Sequence, residues 1–170
     1  MIIKNESKNA ERMLEKVRKC AKEVFSEFAG TSDESRYEKA MEVALRLAGL
    51  EIELQRIVPV LYRSVALRDV RDELDIVVWI KSDILYTDRL AVVLELKVDG
   101  STQDRLQLFR YIRSLDQVLN PPEAVYFRGL LISFPYDSLI YDESSGNIDL
   151  KQASVSLTTV EVGESEAIEN

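Results

Sequence analysis

Residues 92–98 read Val-Val-Leu-Glu-Leu-Lys-Val (VVLELKV), a run whose β-branched and apolar residues predict a buried strand. Side chains alternate across a strand, so Glu95 and Lys97 should share one face and the intervening apolar residues the other. Burying a carboxylate and an ammonium group together is costly unless they pair with each other or with a bound group. The stretch therefore indicates either a structural ion pair or part of a functional site.

The residue composition limits the chemistry that the chain can perform. The 170 residues include no histidine and one cysteine, Cys20. This excludes histidine-based catalytic triads, imidazole ligands to zinc, an internal disulfide and a cysteine-cluster metal site. A bound metal ion would therefore be held by oxygen atoms, which favours magnesium, manganese or calcium.

Length and hydropathy predict one globular domain of ordinary size. No apolar run approaches the ~18 residues that a membrane span needs. The first residues, MIIKNESKNAERM, lack the basic start and long apolar core of a secretory signal. We therefore expect an intracellular protein, cytoplasmic or nuclear, without membrane contact.

Negative charge is concentrated towards the end of the chain. The net charge is −8, and residues 131–170 hold one basic and eight acidic residues. The remainder is close to neutral, so the net charge argues less strongly against a nucleic-acid partner than it does at first sight.

Hydrophobic periodicity predicts an α/β domain with a mixed sheet of about four or five strands, flanked by helices. Pro59 indicates that its strand is an edge strand or contains a bulge. We expect a single domain over residues 1–150, then an edge strand and an acidic tail within 151–170. The predicted helices are 8–28, 33–48 and 102–119, and the predicted strands are 53–62, 74–80, 89–98, 129–134 and 155–162, with an extended hairpin over 81–89.

Charged and polar residues follow a recognisable order along these elements. Asp75 opens one apolar strand, Glu95-x-Lys97 lies in the next, and Gln107 and Tyr111 share a face of the following helix. This order resembles the signature of the PD-(D/E)xK, or restriction-endonuclease-like, nuclease superfamily. The resemblance extends to its GxxExxY branch over roughly residues 17–134. The supporting segments are Glu34-x-x-Tyr37, Ala40-Met41, Ala44-Leu45, Gly49-Leu50, Pro59-Val60-Leu61-Tyr62 and Gly129–Phe134.

The resemblance implies a restriction-endonuclease-like fold and a metal-dependent nuclease. Two converging carboxylates, Asp75 and Glu95, would bind Mg²⁺ or Mn²⁺, which relieves their repulsion. The resemblance adds the carbonyl of Leu96 and the carboxylate of Glu34 as ligands. Lys97 would stabilise the transition state or position the attacking water. Gln107 and Tyr111 would support Lys97 or contact the nucleic-acid backbone, and Arg56 and Arg110 are candidate phosphate contacts.

Each candidate also has a purely structural interpretation. Glu95 and Lys97 could form a cross-strand ion pair, and Asp75 could bond a backbone amide. Glu34 fits a capping box in which it folds back onto the amide of Thr31. Gln107 and Tyr111 could be a surface glutamine and a half-buried tyrosine, Arg56 and Arg110 could be solvated, and Trp79 is expected in the core.

Two classes of function remain open at this point. The first is a metal-dependent nuclease acting on DNA, or on RNA, by metal-activated water; such small nucleases often dimerise to cut both strands, so a homodimer is one expectation. The second is a binding or assembly module that keeps the nuclease fold without turnover, which the scarcity of basic charge favours. An intermediate hypothesis is a nuclease restrained by its own acidic tail.

Overall fold

The structure, a computed structural model, describes residues 3–81, 89–118, 125–137, 139–142, 144, 147–150 and 155–160. Three helices lie in this part of the chain: α1 (Ile3–Phe28), α2 (Glu34–Leu47) and α3 (Thr102–Val118). The strands are β1 (Glu51–Tyr62), β2 (Val65–Lys81), β3 (Arg89–Val98), β4 (Val125–Phe134), β5 (Leu139–Asp142), β6 (Asn147–Leu150) and β7 (Ser156–Val160).

Five strands form one mixed sheet in the order β1-β2-β3-β4-β7, and β5 and β6 form a separate hairpin. The pair β3–β4 is parallel and is connected through α3, while the other pairs of the main sheet are antiparallel. The predicted α/β fold with a mixed sheet is therefore confirmed. Both expectations for Pro59 are also met, because β1 is an edge strand and its register shifts between Pro59 and Leu61.

The sheet separates two apolar cores. Alternate residues of β3, including Val92, Leu94 and Leu96, pack towards α1 and α2. Ala91 and Val93 face the other way and pack under α3. Glu95 continues this second series, so its side chain emerges on the side of the sheet that α3 covers.

Helix α2 ends where the sequence predicts. Gly49 has a φ of +78°, a conformation that favours glycine. The amide of Gly49 donates to the carbonyl of Arg46, and the amide of Leu50 donates to that of Leu45. These two bonds form a Schellman motif, which turns the chain out of α2 and into the edge strand β1.

The predicted strand 74–80 is too short. β2 begins at Val65 and pairs with β1 as far as the Tyr62–Val65 pair, so the two strands form a long hairpin. Residues 63–73 carry many charges and are exposed except for a half-buried Asp72, so no alternation of apolar residues marked them as a strand. Part of the predicted hairpin 81–89, residues 82–88, lies outside the described residues, as do residues 161–162 of the predicted last strand and the acidic residues that follow it.

Among the described residues, none of the helices combines the length and the apolar character that crossing a bilayer requires.

Candidate active site

The carboxylate of Glu95 is the most buried charged group in the described chain, with 1% of the residue exposed. Its Oε1 atom lies 3.2 Å from the Nζ atom of Lys97, so the two residues predicted to share a face do contact each other. Its Oε2 atom is also buried and has no hydrogen-bond partner within the described residues. The pair therefore satisfies only one of the two carboxylate oxygens.

Asp75 lies where β2 separates from β3. The β2–β3 register ends at the Ile76–Leu94 pair. Beyond this pair, the backbone amide of Leu96 on β3 donates to the side-chain Oδ2 atom of Asp75 on β2, at 3.0 Å. The N–H and C=O groups of a strand residue point towards the same neighbouring strand, so the carbonyl of Leu96 also faces this gap. The backbone-amide interpretation of Asp75 is thus correct for one oxygen, and it places the carboxylate next to Glu95.

A local irregularity accompanies Asp75. Leu74 and Val77 both pack on the α3 side, although a regular strand would send residues three apart to opposite faces. On β1, Gln55 lies between the residues paired with Leu74 and Ile76 and has a φ of +47°. Both strands are therefore irregular at Asp75, the residue whose carboxylate accepts a hydrogen bond from the Leu96 amide.

Glu34 reaches the same strand from the start of α2. Its Oε2 atom accepts a hydrogen bond from the amide of Val98 at 3.1 Å and lies 3.9 Å from Lys97 Nζ. The capping-box interpretation is therefore wrong, and the Thr31 amide donates to the Phe28 carbonyl instead. The amides of Leu96 and Val98 lie beyond the last residue of β3 that pairs with β2. Asp75 accepts a hydrogen bond from the first of these amides and Glu34 from the second.

Tyr37 secures the position of α2 near this strand. Its ring stacks on Phe134, with centroids 4.0 Å apart and planes at 6°. Its hydroxyl donates to the carbonyl of Phe28 at 3.1 Å. Phe134 pairs with Val98 in the parallel register, so this contact holds the start of α2 beside the end of β3, where Glu34 acts.

Helix α3 supplies two further polar groups. The amide of Gln107 donates to Glu95 Oε1 at 3.4 Å and forms a hydrogen bond with the hydroxyl of Tyr111. Gln107 is therefore not a free surface residue, and it supports Glu95 rather than Lys97. The spacing of four residues along one helical face produces this contact, as the sequence predicts.

Within the described residues, neither of the two arginines predicted to contact phosphate forms an ion pair with these carboxylates. Arg56 forms an ion pair with Glu53 and lies over the ring of Trp79, 5.9 Å from its centroid. Trp79 is half-buried against the core under α3 rather than fully within it. Arg110 is exposed on α3. The structure thus brings together Glu34, Asp75, Glu95, Lys97, Gln107 and Tyr111. Arg56 lies on β1 opposite Leu74, the neighbour of Asp75, but its guanidinium is engaged with Glu53.

The electrostatics of the site follow from burial and crowding of negative charge. Burial, and then the neighbouring Asp75, raise the pKa of Glu95 to about 7. Burial also raises the pKa of Asp75, although its bond from the Leu96 amide opposes this. For Lys97, burial alone would lower the pKa, but Glu95 and Glu34 outweigh it and the pKa rises. Lys97 is therefore a stable cation at neutral pH.

Glu38 belongs to this environment and was missed from the sequence. Burial raises its pKa, followed by the charges of Asp75 and Glu34. It lies one helical turn after Glu34, hence on the same face of α2. That spacing was the available signal, but it gains meaning only once α2 is known to face the end of β3.

The oxygen atoms around Asp75 and Glu95 fit a hard divalent cation, although the set is small. Within the described ranges, no group of three or more acidic or cysteine side chains is placed to hold a metal ion. Glu34 Oε2 accepts from the Val98 amide and lies 3.9 Å from Lys97, and its predicted role as a metal ligand stays a prediction. Two carboxylates and the Leu96 carbonyl remain, and the unpartnered Glu95 Oε2 is the atom that a cation would stabilise most.

Comparison with known families agrees with this geometry. The sequence model of the PD-(D/E)XK nuclease superfamily matches residues 11–140. The chain belongs to the PD-(D/E)XK nuclease superfamily. No curated protein and no solved structure matches the chain.

Membership of the PD-(D/E)XK superfamily indicates a nuclease, and with it a nucleic-acid substrate and a requirement for divalent metal ions. The match covers every residue of the cluster described above. The finer assignment to the GxxExxY branch stays a prediction.

Proposed function

We propose that this protein hydrolyses phosphodiester bonds in DNA, or in RNA, with Mg²⁺ or Mn²⁺ as cofactor. The observation that carries the proposal is the carboxylate of Glu95, buried with one oxygen unpartnered and crowded by the charge of Asp75. Such an arrangement is unfavourable for a protein that binds nothing there. A divalent cation between the two carboxylates would remove both the repulsion and the unsatisfied oxygen.

Asp75, Glu95 and the Leu96 carbonyl would hold the metal ion. When bound, the ion would polarise a phosphate oxygen and lower the pKa of a water molecule, which makes hydroxide available at neutral pH. Hydrolysis joins the water oxygen to phosphorus and breaks the P–O ester bond, and the departing ester oxygen takes up a proton in place of the one that the water loses. Asp75 and Glu95 would remain ionised throughout, because the cation favours their charged forms.

Lys97 would act as a cation rather than as a general base. Its raised pKa keeps the ammonium group protonated, so it can stabilise the charge that develops on the phosphate and donate a hydrogen bond to the attacking or leaving oxygen. Glu34 and Glu95 would together position Lys97, whose Nζ atom lies 3.9 Å and 3.2 Å from their carboxylate oxygens. Gln107, itself held by Tyr111, would keep the Glu95 carboxylate in its orientation.

Cleavage assays on matched variants test the proposal. We expect the wild type to cleave plasmid DNA, single-stranded DNA or RNA with Mn²⁺ or Mg²⁺. Glu95→Ala and Lys97→Ala should remain folded and lose this activity, while Lys19→Ala, an exposed lysine on α1, should retain it. Full activity in either site variant would contradict the proposal. A wild type that binds nucleic acid without cleaving it would instead support the inactive binding module.

A further inference from the structure

The hairpin of β1 and β2 extends beyond the packed part of the sheet. The β2–β3 register ends at Ile76–Leu94, but β1 and β2 stay paired as far as Tyr62–Val65. Val58 and Leu74 are buried under α3 at the base of this extension. Residues 59–71, called the arm below, are exposed except for the half-buried Val60 and Leu61. Burial against the core therefore does not explain why the far end of the arm forms a paired hairpin.

The arm begins beside the candidate active site. It continues β2 directly from Asp75, and Arg71 precedes Asp75 by four residues, or about 13 Å of extended strand. Because β2 and β3 are antiparallel, the arm and the Glu95–Lys97 end of β3 extend from the same end of the sheet. A long polymer bound at Asp75 and Glu95 would therefore pass close to the arm.

The surface of the arm differs in charge from the rest of the molecule. It carries three arginines, Arg63, Arg68 and Arg71, against one acidic residue, Asp69, whereas the two residues that follow it at its base, Asp72 and Glu73, are acidic. The Arg68–Asp69 ion pair is 3.6 Å long and its side chains are 96% and 91% exposed, so it neutralises little. The arm is thus a basic projection from a nearly neutral body, and it is complementary to a polyanion.

Exposed apolar groups accompany these arginines. Tyr62 and Val65, paired across the end of the arm, are 62% and 67% exposed. The guanidinium of Arg63 lies 5.5 Å from the centroid of the Tyr62 ring. An aromatic ring beside arginines suits contact with nucleotides, whose bases or sugars meet the ring while the phosphates meet the guanidinium groups.

The turn of the arm is not built from the residues that such turns favour. Arg63 and Ser64 have φ values of +48° and +63°. A two-residue hairpin loop with two positive φ angles normally contains asparagine and glycine, which adopt this conformation at lower cost. Arg63 therefore stands at a turn position where asparagine or glycine would be more stable.

We propose that the arm binds the phosphate backbone of nucleic acid beside the candidate active site, with Arg63, Arg68 and Arg71 as the phosphate contacts and Tyr62 against a base or sugar. The inference rests on the proposed function for the class of ligand. It goes beyond that function because it concerns a surface that takes no part in the hydrolysis.

Binding of labelled oligonucleotides in EDTA tests this inference without metal or cleavage. The probes are a fluorescein-labelled duplex DNA and a single strand of the same length, measured by fluorescence anisotropy. Replacement of Arg63, Arg68 and Arg71 by glutamine should weaken duplex binding about 100-fold at about 0.1 M salt, and should reduce the slope of log affinity against log salt by about 2.7. The matched control replaces Arg12, Arg18 and Lys22, three exposed cations of α1, by glutamine and should change binding less than threefold.

A second pair of variants separates binding from folding. Ser64→Gly keeps all three arginines and relieves the turn, so it should raise the melting temperature and leave binding unchanged. Arg63→Asn combined with Ser64→Gly should raise the melting temperature and weaken binding severalfold.

Three outcomes would overturn the inference. The first is equal binding by the wild type and the arm variant, and the second is equal weakening by the α1 control. The third is a wild-type chain that binds neither probe or that loses only self-association when the arm is changed, which would assign the arm to a second copy of the chain. Binding without cleavage by the wild type would instead count against the proposed nuclease activity and leave the inference standing.

Discussion

At the scale of single residues, the buried carboxylate of Glu95 sets how the metal-free protein should respond to pH. In the folded state its pKa is about 7, against an ordinary value of 4.5. The folded state therefore binds this proton more tightly than the unfolded chain does. The stabilisation is complete below pH 4.5 and is lost as the pH rises through about 7.

We expect the free energy of unfolding, measured by urea titration in EDTA, to fall by up to about 3 kcal/mol over this window. Glu95→Gln should remove that part of the slope, because glutamine does not titrate. Other carboxylates contribute to both proteins, so the difference between the two curves isolates Glu95. Parallel curves for wild type and variant would show that Glu95 is not held in this environment.

Lys97 offers a second prediction at this scale. Lys97→Gln removes the cation from the site but keeps the ligands of the proposed metal ion. We expect cleavage to fall at least about 100-fold while Mn²⁺ binding persists, since electrostatic stabilisation of the transition state is lost. Lys19→Gln is the control, as Lys19 is exposed on α1. Retained cleavage in Lys97→Gln would assign Lys97 to the structural ion pair alone.

The order of residues along the chain was sufficient to predict most of this cluster. Strand alternation placed Glu95 and Lys97 together, and helical spacing placed Gln107 and Tyr111 together. The partner of Glu34 was not predictable from the sequence. Glu34 accepts a hydrogen bond from the amide of Val98, and these residues lie 64 positions apart in the chain. A local motif, the capping box, was the competing interpretation, and tertiary contact overrode it.

At the scale of elements, the packing of α3 against β4 determines where Gln107 lies. A Cβ atom added at Gly129 of β4 would lie 2.5 Å from Ile112 Cδ1 and 2.9 Å from Leu108 Cγ, both on α3. Only glycine allows α3 to approach the sheet this closely. The element that supports Glu95 therefore depends on a glycine that does not touch the site.

Gly129→Ala should destabilise the fold by about 1–3 kcal/mol and lower cleavage, because α3 must move away from the sheet and take Gln107 with it. Gly49→Ala is the control: nothing lies within 4 Å of its added Cβ atom, so only the positive φ angle of the turn is affected. That variant should lose about 1 kcal/mol and keep its cleavage rate. Urea titration and a cleavage assay on both variants measure these effects. Equal loss of cleavage in the two variants would show that the close packing of α3 on Gly129 does not determine the position of Gln107.

The elements themselves were predictable to the extent that they face a core. The three helices and the buried strands have apolar residues at the period that burial imposes. The arm was missed because it is largely exposed, so charged residues such as Arg68, Asp69 and Arg71 fall in its strands without regular alternation. The two strands of the arm pair because a short turn joins them, and no pattern of apolar residues marks this pairing in the sequence.

At the scale of the whole molecule, the distribution of charge predicts how the acidic C-terminal residues affect nucleic-acid binding. Glu164, Glu166 and Glu169 lie in the predicted tail, outside the described residues. Replacing all three by glutamine should tighten oligonucleotide binding severalfold at low salt and less at high salt, since repulsion of phosphates is reduced. Replacing Glu15, Glu27 and Glu51 by glutamine is the charge-matched control. An equal effect in both variants, or none in either, would remove the tail from the account.

Calorimetric titration with Mn²⁺ measures whether Asp75 and Glu95 together hold a divalent cation. The titration is performed on wild type, Asp75→Asn and Glu95→Gln, each in the presence of a nuclease-resistant phosphorothioate duplex that can supply phosphate ligands. We predict binding to the wild type and its loss in both variants, with Glu53→Gln behaving as the wild type. No binding to the wild type under these conditions, or undiminished binding in either site variant, would contradict a shared cation site at Asp75 and Glu95.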